Sequence, residues 1–472
     1  MATGEPFRNF NTSPMINLQD DRLTFTFPEI AAQLSALLEQ HIQQLLPKLT
    51  LPKDRNELVN ALKVQIQESD WTLRLRPEAF ALRTDAAIPA QKNSILRISR
   101  RTSLDAAAES LTEADVEKAL RERAYEVARL HDDSLASVTF AFQRTLRIPD
   151  DGKTYPLPAG LDLFPLRAVD DFAETTPASW VKRGGVLMPM YQSEALWIEF
   201  SARYPFAVKV AAGKINAVSG EARSSDLQRE PQNYVVLPDQ PWLDGFAVGE
   251  GVIRQFVAMP LGAGYSVEEQ LTGQAEFGGM QFQAYPMRAE TYFREKVVPS
   301  LPSSLDELLQ RLFAVHLVKT DFYGGASSCP AAPCAGSVEE SMGLGAGGQM
   351  RQEIYHDPHS AAVWDETLSR RCFVHLCNSL VWRQITGTNP PHPPLTAQEY
   401  KRAGIPWFDY YRDDQKPLKG SQRLAGVKSV TQLGQEKHSQ PLPENSSITP
   451  ELIVQYGNTR RPGEIREFLD TL

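Results

Sequence analysis

The sequence predicts an α+β protein with an antiparallel β core, a mainly helical insertion and a C-terminal part of mixed α/β character. Two segments of similar sequence, Leu-Thr-Phe-Thr-Phe at 23–27 and Val-Thr-Phe-Ala-Phe at 138–142, alternate in the manner of half-buried strands. The residues between them, 29–133, carry apolar side chains at the helical period instead. The simplest interpretation places the two segments in one sheet, with 29–133 inserted between its strands.

The N-terminal elements follow from turn and cap residues. Asp20 and Asp21 separate two short strands and predict a hairpin. An apolar stripe of helical period then runs from residue 29 until Pro47 ends it. Further along the insertion, Thr112 and Asp115 form a capping box that opens a long helix.

The β-rich core is predicted to combine residues 1–28 with 134–300. Its candidate strands after the insertion are 137–148, 186–190, 196–200, 206–210, 215–218, 253–259 and 280–286. Before the last of these, Ser266 and Glu269 form a capping box that opens a one-turn helix, and Gly273 is placed to end it.

The remaining chain is predicted to form a mixed part at 301–434, packed on the core, and a polar tail at 435–472. A stretch at 324–348, rich in Gly, Ala and Ser, predicts a flexible loop. Its end, GLGAGG at 343–348, matches the dinucleotide-binding pattern, but it follows no strand and opens no helix, so that function is not predicted. A lid and a tolerated insertion are both open for this loop.

Composition limits the classes of partner. The chain has 472 residues and a formal net charge of −9, which argues against general binding to nucleic acids or anionic membranes. No apolar run approaches the ~20 residues of a transmembrane helix, and the N-terminal residues lack the apolar core of a signal peptide. With four cysteines, too few for a disulfide scaffold, we expect a cytoplasmic protein.

Four blocks of the sequence carry a resemblance. The segments MPMYQSEALWIEF, QPWLDGFAVGEGVIRQFVAMPLGAGYSVEEQLTG, MRQEIYHDP and AGIPWFDYYRDD resemble a group of bacterial and fungal proteins to which no function is assigned. The resemblance covers about 134–430 and leaves out the helical insertion. It implies that the β region and the C-terminal part form one unit, and it supplies no catalytic residue.

Arg144 is a charged residue on an apolar strand face. In 137–148 it shares its side with Val138, Phe140 and Phe142, so its guanidinium is expected to point inward. A buried charge needs a partner, which is either a structural carboxylate or a ligand anion in a cavity. The structural pairing is the favoured interpretation.

The pattern Pro-Trp-apolar-Asp occurs twice, with Trp242 and Asp244 in one copy and Trp407 and Asp409 in the other, which continues to Tyr411. Aromatic faces beside carboxylates suit the recognition of sugars or cations. Turns held by core tryptophans are the favoured alternative, because large aromatic residues mostly serve packing.

Histidines and cysteines raise the question of a metal. His356 and His359 lie in a turn with acidic residues and are the candidate ligands, or candidates for acid–base chemistry, although an exposed polar turn has the same sequence. Cys372 and Cys377 are five positions apart, a spacing that points their side chains in different directions in a strand or helix. No metal site is therefore predicted.

The cysteines are predicted to differ in exposure. Cys329 and Cys334 are expected to be accessible on the loop at 324–348, whereas Cys372 and Cys377 are expected to be buried and inert.

The leading functional hypothesis is a cytosolic binding protein or enzyme for a small polar ligand, sugar-like or anionic. Its pocket is predicted from six residues: Arg144, Trp242, Asp244, Trp407, Asp409 and Tyr411. The competing hypothesis is a structural or assembly protein, whose aromatic segments and basic run at 74–101 contact protein partners. Catalysis, cofactor and oligomeric state are open at this point.

Overall fold

The computed structural model describes residues 15–51, 53, 73–74, 95–96, 112–130, 135–305, 307–308, 341–410, 412, 414–438 and 448–456. The chain divides into two compact units. The first comprises Met1–Ile30, Ser134–Arg288 and Ser327–Leu472, and the second comprises Ala31–Asp133 and Ala289–Ala326.

The strands in the described part of the chain are, in order, β1 Ile16–Gln19, β2 Arg22–Thr26, β3 Leu73–Arg74, β4 Ile95–Leu96, β5 Ser137–Thr145, β6 Thr154–Tyr155, β7 Leu157–Pro158, β8 Gly160–Leu163, β9 Arg167–Ala168, β10 Val186–Met190, β11 Ala195–Ala202, β12 Phe206–Ala212, β13 Ile215–Asn216, β14 Val235–Leu237, β15 Trp242–Leu243, β16 Gly245–Gly249, β17 Val252–Pro260, β18 Met280–Pro286, β19 Met342–Arg351, β20 Arg370–Asn378, β21 Trp407–Tyr410 and β22 Ile453–Tyr456.

The α-helices in the same residues are α1 Pro28–Leu45, α2 Glu113–Val127, α3 Ala178–Arg183, α4 Val267–Thr272, α5 Ala289–Tyr292, α6 Ser379–Thr386, α7 Ala397–Arg402, α8 Gln422–Ala425 and α9 Val430–Glu436. Short 3₁₀ segments lie at Leu46–Lys48, Val169–Phe172, Val298–Ser300 and Ala361–Val363, and Phe293–Val297 is a π-helical turn.

Two large sheets organise the first unit. In the described residues one has ten strands in the order β1-β2-β5-β11-β17-β19-β6, with β8, β15 and β16 attached at its sides. The other has seven strands in the order β13-β12-β18-β20-β10-β9, with β14 beside β12. Most pairs are antiparallel, whereas β10–β20 and β6–β19 are parallel. The α+β class with a β-rich core is confirmed.

The core of the first unit lies between the facing sheets. Phe140 and Phe142 of β5 contact Phe282 of β18, with ring centroids 4.9 and 5.4 Å apart. Phe27, which directly follows β2, similarly reaches Phe206 of the second sheet, at 5.2 Å. These side chains are buried because alternate residues of each strand point between the sheets.

The N-terminal hairpin joins β5 as the sequence predicts. Asp20 and Asp21 both have left-handed backbone conformations, with φ of 50° and 56°, which suits a two-residue hairpin turn. Strand β2 then pairs antiparallel with β5, with Leu23 opposite Phe140. The segment 29–133 is therefore inserted between two neighbouring strands of one sheet.

The second unit contains α2 and most of α1. Thr112 caps α2, because its side chain accepts a hydrogen bond from the Asp115 backbone N–H, as predicted. On this helix Arg121 donates to both carboxylate oxygens of Glu39 on α1, at 2.5 and 3.0 Å.

The prediction of a loop at 324–348 is wrong for its last residues. Residues 324–340 lie outside the described part of the chain, but Met342–Arg351 forms β19 in the ten-stranded sheet. Its glycines are required by close packing: a Cβ at Gly345 would lie 2.6 Å from Val430 Cγ2, and one at Gly348 would lie 2.4 Å from the Pro149 carbonyl oxygen. The GLGAGG sequence thus forms part of a strand whose close neighbours require glycine.

Two predicted boundaries also need correction. The predicted polar tail at 435–472 contains β22, which pairs parallel with β21 in a three-stranded sheet completed by β7. Residues 289–326, assigned from sequence to the core and the C-terminal part, belong to the second unit instead. Both differences depend on contacts between segments distant in sequence, which local patterns do not report.

Candidate functional site

An open pocket of about 360 Å³ lies where the ten-stranded and three-stranded sheets of the first unit meet. We call it the aromatic pocket, and its lining residues are Gln143, Leu157, Pro158, Ala159, Gly160, Trp197, Trp242, Asp244 and Phe408. The volume falls within the roughly 300–1,000 Å³ usual for small-molecule sites.

Strand pairing brings the aromatic wall together. Gln143 on β5 lies opposite Trp197 on β11, and Trp242 on β15 lies opposite Glu199, two residues further along β11. The indoles of Trp197 and Trp242 have centroids 6.2 Å apart at an angle of 64°. Tyr410 supports the second indole at 4.8 Å. This face of β5 and β11 is opposite to the one that packs in the core.

A polar side chain, Gln143, lines the pocket beside the indoles. Gln143 donates from Nε2 to a carboxylate oxygen of Glu199 at 3.0 Å, which fixes the orientation of its amide. Trp197 Nε1 is enclosed and has no hydrogen-bond partner in the described part of the protein. A Cβ at Gly160 would lie 2.8 Å from Gln143 Oε1 and 3.0 Å from Trp197 Cζ2, so glycine leaves both side chains in place.

Asp244 provides a buried carboxyl group at the pocket. It is 2% exposed, and its Oδ1 accepts a hydrogen bond from Gln352 Nε2 at 2.7 Å. The Asp244 backbone N–H donates in return to Gln352 Oε1 at 3.0 Å. Burial raises the pKa of the Asp244 carboxyl to about 7, against the opposing effect of the Gln352 hydrogen bond. Near neutral pH this group can therefore either donate or accept a proton.

These features suit a ligand that is apolar on one side and polar on another. Aromatic faces cover C–H groups, while the Asp244 carboxyl can bond to hydroxyl groups. None of the described lining residues is cationic, so an anionic ligand would meet Asp244 without compensation.

Arg144 lies on the other side of β5 and does not line the aromatic pocket. Its Nε and Nη2 donate to Glu194 Oε1 at 2.7 and 2.5 Å, and Nη2 also donates to the His392 carbonyl at 2.7 Å. The favoured structural pairing is confirmed. The predicted place of Arg144 in the ligand pocket is corrected, because residues 143 and 144 face opposite sides of the sheet.

The second Pro-Trp-apolar-Asp segment contributes a different residue from those predicted. Trp407 is buried against Tyr400, at 5.4 Å between ring centroids, and Asp409 pairs with Arg351 through hydrogen bonds of 3.2 and 3.0 Å. Phe408, between them, lines the pocket. Tyr411 lies outside the described residues. The two segments do converge, but through Trp242, Phe408 and Tyr410.

The two histidine candidates have different surroundings in the structure. His356 lines another cavity together with Arg229, Lys416 and Lys419, and such cationic neighbours oppose a metal ion. The His359 ring packs on Trp364, with centroids 5.6 Å apart. No group of metal-ligating side chains occurs in the part of the chain that the structure describes.

The cysteine prediction is confirmed where the structure describes it. Cys372 and Cys377 are buried free thiols, and burial raises the pKa of Cys372 to about 12. Cys329 and Cys334 lie outside the described residues, as does most of the basic run at 74–101.

Sequence reasoning missed Gln143, Trp197 and Phe408. Gln143 alternates with the core residues of β5, and Trp197 alternates with the core residues Leu196 and Ile198 of β11. A tryptophan at a position expected to face solvent was the available signal, since large aromatic residues on the outer face of a sheet need a cover or a ligand.

No protein-family model matches the chain, nor does any curated protein or solved structure. No helix in the described residues has the length and apolar character needed to cross a membrane.

Proposed function

We propose that the protein binds a small, neutral, polyhydroxylated ligand of the sugar-like class in the aromatic pocket. The observation that supports this most directly is the joint placement of Trp197, Trp242 and Phe408 around a pocket with the Asp244 carboxyl at its wall. Indole and phenyl faces cover the C–H side of a pyranose ring, and the carboxyl group meets its hydroxyls.

The charge of the pocket favours a neutral ligand over an anionic one. Asp244 is the titratable group among the described lining residues, and a ligand carboxylate or phosphate would repel its ionised form. Ligand hydroxyls have no such penalty, because they donate to the carboxylate. The sugar-like alternative of the sequence analysis is therefore retained for this pocket, and the anionic alternative is not.

Binding is the proposed activity rather than hydrolysis. Glycosidases generally place two carboxyl groups at the scissile bond, about 5 to 9.5 Å apart. Asp244 is the sole acidic residue among the described residues that line the pocket. Free thiols at Cys372 and Cys377 suit the reducing cytoplasm, where we place this function.

A role in assembly remains the competing proposal, and it requires an apolar surface for a partner. The large apolar side chains exposed in the described part of the chain are Met15, Leu380, Leu452 and Ile453. Only Leu452 and Ile453 are neighbours in sequence, so these side chains give little support to an apolar partner surface. The aromatic pocket is therefore the favoured site.

A panel of neutral mono- and disaccharides, titrated by calorimetry and by tryptophan fluorescence, tests the proposal. We expect at least one saccharide to bind, and Trp242→Ala to weaken it at least tenfold, since an anchoring aromatic contributes more than ~1.4 kcal/mol. Trp180→Phe, which changes a buried tryptophan outside the pocket, is the matched control. Absence of saccharide binding, or equal weakening in the two variants, would refute the proposal.

A further inference from the structure

Three cationic side chains meet on one side of the seven-stranded sheet, away from the aromatic pocket. Lys209 on β12 lies opposite Gln283 on β18, which in turn lies opposite Arg371 on β20. Arg223, from the segment that follows β13, reaches the same row and donates from Nη2 to Gln283 Oε1 at 2.7 Å. We call Lys209, Arg223 and Arg371 the cationic row.

Neutral oxygens hold all three cations. Arg371 donates to Gln281 Oε1 at 2.5 Å, in the same way that Arg223 donates to the neighbouring glutamine. Lys209 Nζ donates to the backbone carbonyls of Ser224 and Asp226, at 2.8 and 2.6 Å. In the described part of the chain, no carboxylate oxygen lies within 4.0 Å of these three side chains. Amide and carbonyl oxygens orient a cation without neutralising its charge.

The adjacent strand residue shows the opposite arrangement. Arg370 points to the other side of the sheet and pairs with the Glu29 carboxylate at 2.5 Å. The same strand thus matches a partly buried structural arginine with a carboxylate and leaves Arg371 with an amide. A side chain that only stabilised the fold would gain from a carboxylate partner, as Arg370 does.

The positive charges act on one another. Burial lowers the pKa of Arg223, and the nearby Arg371 charge lowers it further. Burial and the Arg223 charge likewise lower the pKa of Lys209 to about 8, partly offset by Asp226 and Glu366. Repulsion of this kind disfavours the unliganded cluster, and a bound anion would relieve it.

We propose that the two arginines of the cationic row bind the phosphate group of a small phosphorylated ligand, while the buried Lys209 adds its charge from below. A guanidinium presents five N–H donors in a planar fork that matches phosphate oxygens, and each arginine here makes one hydrogen bond to a glutamine. Arg371 is exposed and Arg223 is partly exposed, so their other donors are accessible. The site does not depend on the function proposed for the aromatic pocket.

Replacement of Gln283 by glutamate is the most discriminating test. The new carboxylate would accept from Arg223 in place of the amide, and the Ser369 hydroxyl, now 3.3 Å from Gln283 Nε2, can donate to it. We expect Gln283→Glu to keep or raise the urea midpoint of unfolding and yet to weaken phosphate binding at least tenfold, because it neutralises the site.

The binding assay is calorimetric titration with inorganic phosphate, and then pyrophosphate, at constant ionic strength set with chloride. Arg223→Gln and Arg371→Gln should each weaken binding by about tenfold or more, the usual effect of losing a charge-assisted hydrogen bond. Arg402→Gln, which removes the same charge from an exposed position on α7, should leave binding unchanged. The proposal fails if the wild-type protein binds neither anion, if Gln283→Glu binds as tightly as wild type, or if Arg402→Gln weakens binding equally.

Discussion

Replacing Asp244 by asparagine should stabilise the protein at alkaline pH and leave it nearly unchanged in acid. The asparagine amide has the shape of a protonated carboxyl, and its oxygen can still accept from Gln352 Nε2, which lies 2.7 Å from Asp244 Oδ1. The hydrogen bond from the residue 244 backbone N–H to Gln352 is also retained. The substitution therefore removes the ability to ionise and little else.

The magnitude follows from the burial of this carboxyl. Its pKa is raised from 3.8 to about 7 in the folded protein. Because the folded value is the higher one, the folded state holds the proton more tightly, and stability is lost as pH rises from about 4 to about 7. A tenfold change in acidity corresponds to about 1.4 kcal/mol, so the loss approaches about 4 kcal/mol above pH 7.

Urea unfolding of both proteins at pH 4, 6 and 8 measures this effect. We expect Asp244→Asn to match wild type within about 1 kcal/mol at pH 4 and to exceed it by about 4 kcal/mol at pH 8. Raising the salt concentration should not change the difference, because Asp244 is only 2% exposed. A difference that is the same at all three pH values would refute the reasoning. So would a variant less stable than wild type at pH 8.

Three further predictions have defined outcomes. Glu194→Ala should destabilise the fold by about 3–5 kcal/mol in urea unfolding, because it leaves the Arg144 guanidinium buried without its carboxylate; equal stability would contradict the pairing. Burial lowers the pKa of His375 to about 4, so the unfolded chain binds a proton at this residue at a higher pH than the folded protein does. The wild-type protein should therefore lose about 3 kcal/mol of stability as the pH falls from 6.5 to 4, and His375→Gln should not show this loss. Gly345→Ala should lower stability by about 1–3 kcal/mol through its clash with Val430, whereas Gly249→Ala, whose Cβ would meet only an ordinary contact of 3.7 Å, should change little; equal losses in the two variants would exclude the packing explanation.

Features set by neighbouring residues could be predicted from the sequence. The capping box of Ser266 and Glu269 opens α4, and Gly273 ends it with a left-handed φ of 71°. Thr396 and Glu399 open α7 in the same way. Such bonds join residues three or four positions apart, so a short stretch of sequence contains all the participants.

Strand β19 shows where local reasoning fails. GLGAGG has the composition of a loop, and its place in the sheet depends on how closely Ser266, Val430 and Val257 approach it. These residues come from elements far apart in the chain, and their approach leaves no room for a side chain at Gly343, Gly345 or Gly347. Glycine content alone does not distinguish such a strand from a flexible segment.

The candidate site was predicted in part for a similar reason. The sequence indicated Trp242 and Asp244, and both line the aromatic pocket. It named Trp407 and not Phe408, because the choice between them depends on which face of β21 turns toward the pocket. The face is set by the pairing of Phe408 with Leu157 on β7, a contact across some 250 residues of sequence.

The buried ion pair and the pocket depend on one strand register. Arg144 lies opposite Leu196 with its guanidinium on Glu194, and this pairing places Gln143 opposite Trp197 at the pocket. A slip of β5 by one residue would exchange the two faces, moving Arg144 to the pocket and Gln143 into the core. Such a slip would also leave Glu194 buried without its cation, at a penalty of about 3–5 kcal/mol. Arg144 does not line the aromatic pocket, and yet its pairing with Glu194 helps to determine which side chains do.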